Sequence, residues 1–72
     1  SQLASVIIEM SDGQWHTLEE LAATTSCPPA SVSARLRDLR KPKFGGHTVL
    51  REYVSRGLWR YKFVPNPDPT IP

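Results

Sequence analysis

Two adjacent prolines, Pro28 and Pro29, fall between two stretches of helical periodicity and forbid the chain from joining them into one helix. Proline has no amide hydrogen to donate and its ring collides with the preceding turn, so a helix stops before it. Its fixed φ nevertheless suits the first turn of the next helix. Upstream, Thr17 precedes Glu20 by three positions, a spacing that lets hydroxyl and carboxylate satisfy each other's backbone donors at a helix start. Leu18, Leu21 and Ala22 give that helix an inward face, Glu19 and Glu20 suit its positive end, and it should finish near Thr24–Ser26. Downstream, a second helix is predicted from about Pro28 to Lys41. There Val32, Leu36 and Leu39 share one narrow arc and Pro42 ends the run.

The flanking segments complete the pattern. Leu3, Val6, Ile7 and Met10 fall at i, i+3, i+4 and i+7 of an amphipathic helix over residues 2–10, which Ser11-Asp12-Gly13 closes. Gln14-Trp15-His16 reads as a short extended piece, with Trp15 as a plug for the core. Lys43-Phe44-Gly45-Gly46 is a turn anchored by Phe44. Two extended runs follow, Thr48–Val54 and Leu58–Val64, separated by Ser55-Arg56-Gly57. In the second, Trp59, Tyr61 and Phe63 alternate with Arg60 and Lys62, so one aromatic face should line the core and the basic residues should project from the other. Val49 is expected to point inward; the rest of the first run has no clear facing. Residues 65–72 hold four prolines and read as an extended tail.

The order helix, short strand, helix, tight turn, helix, hairpin predicts an α+β domain over residues 1–64 with the winged helix-turn-helix layout. The residues also carry a resemblance. Trp15-His16-Thr17-Leu18-Glu19-Glu20-Leu21-Ala22, followed by Ala30-Ser31-Val32-Ser33-Ala34-Arg35-Leu36-Arg37-Asp38-Leu39-Arg40, resembles the helix-turn-helix of MarR-like winged-helix proteins. With Lys41-Pro42-Lys43-Phe44-Gly45-Gly46 added, the chain is similar to small winged-helix proteins of bacteriophages and prophages. That resemblance implies double-stranded DNA as the partner, with Ser31, Ser33, Ala34 and Arg35 in the DNA-facing first turns of the recognition helix. MarR-like repressors dimerise through extra helices for which 72 residues leave no room, so a monomer or weak dimer is expected.

Charge supports a polyanionic partner independently. Residues 1–30 contain four acids and no Lys or Arg, whereas residues 31–72 contain nine bases and three acids, giving −4 against +6. So polarised a small domain attracts polyanions. On a helical wheel, Ala30, Ala34, Arg37 and Lys41 form the stripe opposite the aliphatic arc, flanked by Ser31 and Asp38 on one side and Ser33 and Arg40 on the other. Small side chains let a helix approach base edges, Ser donates or accepts, and Arg37 can reach a guanine with two hydrogen bonds. Arg35 lies nearer the core boundary on the wheel, suited to a base or a phosphate. Asp38 is discordant in such a site, where it would repel phosphate unless paired with Arg35 or accepting from a cytosine amino group. The competing reading of the helix is a solvated face with Arg35–Asp38 and Asp38–Lys41 pairs. Lys41, Lys43 and Arg56 are expected to hold phosphates, and Arg56, at the hairpin tip, can alternatively enter an adjacent minor groove. Arg60 and Lys62 either line a phosphate strand or guard an edge strand.

Other classes find little support. No apolar run approaches the roughly 18–20 residues of a membrane span and no signal-peptide pattern opens the chain. The single cysteine, Cys27, cannot form an internal disulfide, which suits a reducing cytoplasm. His16, His47 and Cys27 lack the paired spacings of a zinc site, and no nucleophile–base constellation stands out. No metal, cofactor or enzymatic activity is expected. The expected function is therefore a sequence-specific transcriptional regulator. The alternatives are an excisionase-like architectural accessory, or a protein-interaction adaptor on the same scaffold.

Overall fold

The computed structural model describes residues 1–67. It is a small α+β fold in which three α-helices pack on one face of a three-stranded antiparallel sheet. Helix α1 spans Gln2–Met10, α2 Leu18–Thr25 and α3 Pro29–Leu39; the strands are β1 at His16–Thr17, β2 at Thr48–Ser55 and β3 at Leu58–Val64. Except at the end of α3, the residues expected to start and stop the helices do so. Thr17 Oγ1 accepts from Glu20 N at 3.1 Å while Glu20 Oε1 accepts from Thr17 N at 2.8 Å, the reciprocal cap anticipated for α2. Ser26 closes α2 in the left-handed conformation at φ +60°, and Pro28 and Pro29 open α3. That helix is shorter than the sequence suggested. It ends at Leu39, and the backbone turns through a 3-10 segment at Pro42–Phe44.

Val6, Met10, Leu21, Val32 and Leu39 are fully buried, with Leu36, Cys27 and Phe63 beside them. Full burial of each such aliphatic side chain contributes about 1.5–3 kcal/mol, which is what fixes the three helices against one another. Phe63 joins this cluster and Tyr61 packs against it, but Trp59 lies further out along the hairpin, against Tyr53, so only part of the aromatic row is core. Trp15 is not the core plug it was expected to be. It is half-buried on the other face of the sheet, beneath the Arg60 guanidinium at 4.9 Å and the Lys62 ammonium at 5.8 Å.

The strand order is β1-β3-β2, so β3 is central and Arg60 and Lys62 guard no edge. The hairpin turns at Arg56 and Gly57, both with positive φ (+48° and +77°), a pairing that matches the natural twist of two-residue hairpins. A register shift between Tyr53 and Ser55 places Arg51 opposite Tyr61 and Val49 opposite Phe63. The link from α3 to β2 is fastened at its base. Asn66 N donates to His47 Nδ1 at 2.9 Å, Asn66 Nδ2 donates to Gly45 O at 3.0 Å, and the His47 ring meets Phe63 edge-on. Gly45 has φ +111°, and a Cβ there would fall on the His47 ring. The start of the tail is thus tied to the domain, and residues 68–72, the remainder of the expected tail, lie outside the described residues.

Candidate functional site

Helix α3 buries Val32, Leu36 and Leu39 and turns its other side outward. Ala30 and Arg37 on that helix are exposed, as is Lys41 just past its end, while Ser31, Ser33, Ala34 and Arg35 are half-buried. The two flanks of the helix differ in charge. On one, Asp38 lies 2.9 Å from Arg35 Nε through Oδ2 and 3.0 Å from Lys41 Nζ through Oδ1. The Lys41 hydrogen bond holds the Asp38 carboxyl below its usual range against the opposing effect of burial, and the charges of Lys41 and Arg35 assist. Arg35 also donates through Nη1 to Gln2 Oε1 of α1 at 3.2 Å, and its buried Nε has no well-aligned acceptor. Arg35 is therefore directed toward α1 and Asp38. Both pairs expected of a solvated helix face, Arg35–Asp38 and Asp38–Lys41, are present on this flank.

The other flank faces the hairpin across a cleft of about 350 Å³. Leu36, Val49 and Tyr61 supply its apolar floor, and Ser33, Arg37, Arg40 and Arg51 its polar rim. Among the described residues no carboxylate forms an ion pair with Arg37, Arg40 or Arg51. The Arg51 guanidinium sits 4.7 Å from the Trp59 ring, Trp59 meets Tyr53 edge-on at 5.3 Å, and Tyr53 Oη accepts from Gly57 N at 3.2 Å. This chain of contacts runs from the cleft to the hairpin tip, where Arg56 is exposed.

Of the residues singled out from sequence, Ser33 and Arg37 meet at this cleft, and Ala30 and Ala34 belong to the same helix. Lys43 is exposed on the 3-10 segment, its ammonium 5.0 Å from the Phe44 ring. Arg60 is placed apart, on the sheet face opposite the cleft, ion-paired with Glu52 and stacked on Trp15. Two lining residues had not been singled out as site residues, Arg40 and Arg51. Arg40 was visible on the wheel beside Ser33. Arg51 depends on the hairpin register, which the sequence did not yield.

Away from the cleft, His16 Nε2 lies 2.9 Å from Asp12 Oδ1, and the hydrogen bond with His16, followed by that from the Gln14 amide, holds the Asp12 carboxyl below its usual range. Among the described residues no group of three or more His, Cys, Asp and Glu is placed to hold a metal ion. No described helix is long and apolar enough to cross a membrane. No protein-family model matches the chain, and no curated protein or solved structure matches it either.

Proposed function

We propose that this chain is a winged helix-turn-helix protein that binds double-stranded DNA, acting in the cytoplasm as a sequence-specific transcriptional regulator. The observation that carries this reading is the outward side of α3, where small residues and Arg37 stand opposite the buried Val32, Leu36 and Leu39. The element order, the β1-β3-β2 sheet and the resemblance of roughly residues 1–64 to phage-type winged-helix proteins support it further. In this reading α3 enters the major groove, Arg37 and Ser33 read base edges, and Ala30, Ser31 and Ala34 allow the close approach. The hairpin is the wing, with Arg56 directed at an adjacent minor groove or backbone. Lys43 holds a phosphate, and Lys41 does so only with the charge that Asp38 leaves it. No catalytic step is assigned to the chain.

Selection of bound duplexes from a random pool, run at two salt concentrations, tests this directly. An enriched motif should emerge, and affinity should fall with salt by a logarithmic slope of about 0.9 for each phosphate neutralised. Affinity that stays flat with salt, or a pool that remains unbound, overturns the proposal.

A further inference from the structure

The cleft between α3 and β2 gathers three guanidinium groups that the fold itself does not need. None of Arg37, Arg40 or Arg51 belongs to the buried core, and like charges brought to one place repel. The cations on the far flank of α3 and on the outer face of β3 include compensated ones. Asp38 lies beside Arg35 and Lys41, and Glu52 pairs with Arg60, yet among the described residues no carboxylate reaches the cleft. Arg51 is in addition held against Trp59, so part of its ordering cost is met before any ligand arrives. The volume, about 350 Å³, is at the small end of ligand-sized cavities, and its charged rim selects an anion over an apolar molecule. Planar guanidinium forks from two walls match the tetrahedral oxygens of a phosphate.

We propose that this cleft is a discrete phosphate-binding site in which Arg40 from the C-terminal cap of α3 and Arg51 from the strand close on one phosphate ester, with Arg37 linking it to the base-reading side of α3. The inference deepens the DNA-binding reading and rests on it for one of two sources of the ester, the nucleic-acid backbone; the other is a free nucleotide.

Two titrations of the full chain separate these sources. The first follows a labelled hairpin duplex by anisotropy with the parent protein, Arg40→Gln, Arg51→Gln and the double variant, each first shown by thermal melting to be folded. Each single substitution should weaken binding about fivefold to tenfold on every duplex sequence and lower the salt slope by up to about one. Because both groups address one phosphate, the loss in the double variant should differ at least threefold from the product of the single losses, a departure that independent contacts would not show. The second adds inorganic phosphate or a nucleoside monophosphate to a Trp15→Phe protein, whose remaining tryptophan is Trp59 beside Arg51. Duplex binding with no loss in either single variant, or with losses that simply multiply, overturns the site and leaves the DNA reading standing. Saturable binding of the monophosphate, lost in Arg40→Gln, with no duplex binding, supports the site and overturns the DNA reading. If neither ligand binds, both fall.

Discussion

The two flanks of α3 carry similar numbers of basic residues and opposite electrostatic fates. On the α1 side, Arg35 and Lys41 share Asp38, and Arg35 also reaches Gln2, so these cations are committed within the protein. On the hairpin side, Arg37, Arg40 and Arg51 meet no carboxylate among the described residues and border an open cleft. A helix wheel places Arg35, Arg37, Arg40 and Lys41 around α3 but says nothing of Arg51 or of their partners. What separates them is the partner each one finds, and a count of bases therefore overstates one flank and understates the other.

The most severe way to break this comparison is charge reversal. Arg40→Glu combined with Arg51→Glu should cost about a hundredfold in duplex affinity, whereas Arg35→Glu combined with Lys41→Glu, an equal change of four charges, should cost only about tenfold, because Asp38 already screens that pair. Equal losses in a low-salt titration would abolish the distinction. Asp38→Asn sharpens it from the other side. Freed from their shared carboxylate, Arg35 and Lys41 should tighten duplex binding about threefold to fivefold, and Lys41→Gln made in that background should then cost more than it does alone.

Acid should act in the same sense. The carboxyl of Asp38 titrates below its ordinary value of 3.8 in the folded chain, so its contribution to stability is complete above that value and is lost as pH falls through the lowered one. Asp12, held by His16, contributes with the same sign. Unfolding followed from pH 5 to pH 2 should show a flatter acid limb in Asp38→Asn than in the parent; identical limbs would mean that the pairs drawn around Asp38 do not form in solution.

The smallest effect concerns the hairpin tip. Arg56 occupies the left-handed region at φ +48°, which favours Asn or Gly, so Arg56→Asn should raise unfolding stability by about 0.5–1 kcal/mol. The same substitution removes an exposed cation and should weaken duplex binding about twofold, a readout that separates the tip from the cleft. A variant that is both less stable and unchanged in binding would contradict both roles.

The helical half of the molecule was legible because its signals are local. The Thr17/Glu20 cap, the double proline and the Val32/Leu36/Leu39 arc each act within a few residues, and each positions what it was expected to position. The hairpin was not, because its facing is set by a single irregularity. Counting back from the Arg56-Gly57 turn with an unbroken ladder would put Arg51 opposite Lys62, on the outer face. The shift between Tyr53 and Ser55 moves it opposite Tyr61 and so into the cleft. Trp15 misled for a related reason. An aromatic beside a short strand looks like core, but this strand pairs with β3 so that Trp15 falls on the face where Arg60 and Lys62 lie over it. The cleft therefore combines one wall that sequence periodicity describes and one that only the sheet register supplies.

Gly45 admits no side chain, for steric reasons that a neighbouring adjustment does not remove while His47 keeps its place against Phe63 and Asn66. Among diverged descendants of this fold, the Gly45-Gly46-His47 step should therefore outlast the surrounding sequence and serve as a fingerprint when overall similarity has faded. Chains that replace that glycine while retaining the histidine would have to route the crossover between helix and hairpin by a different path.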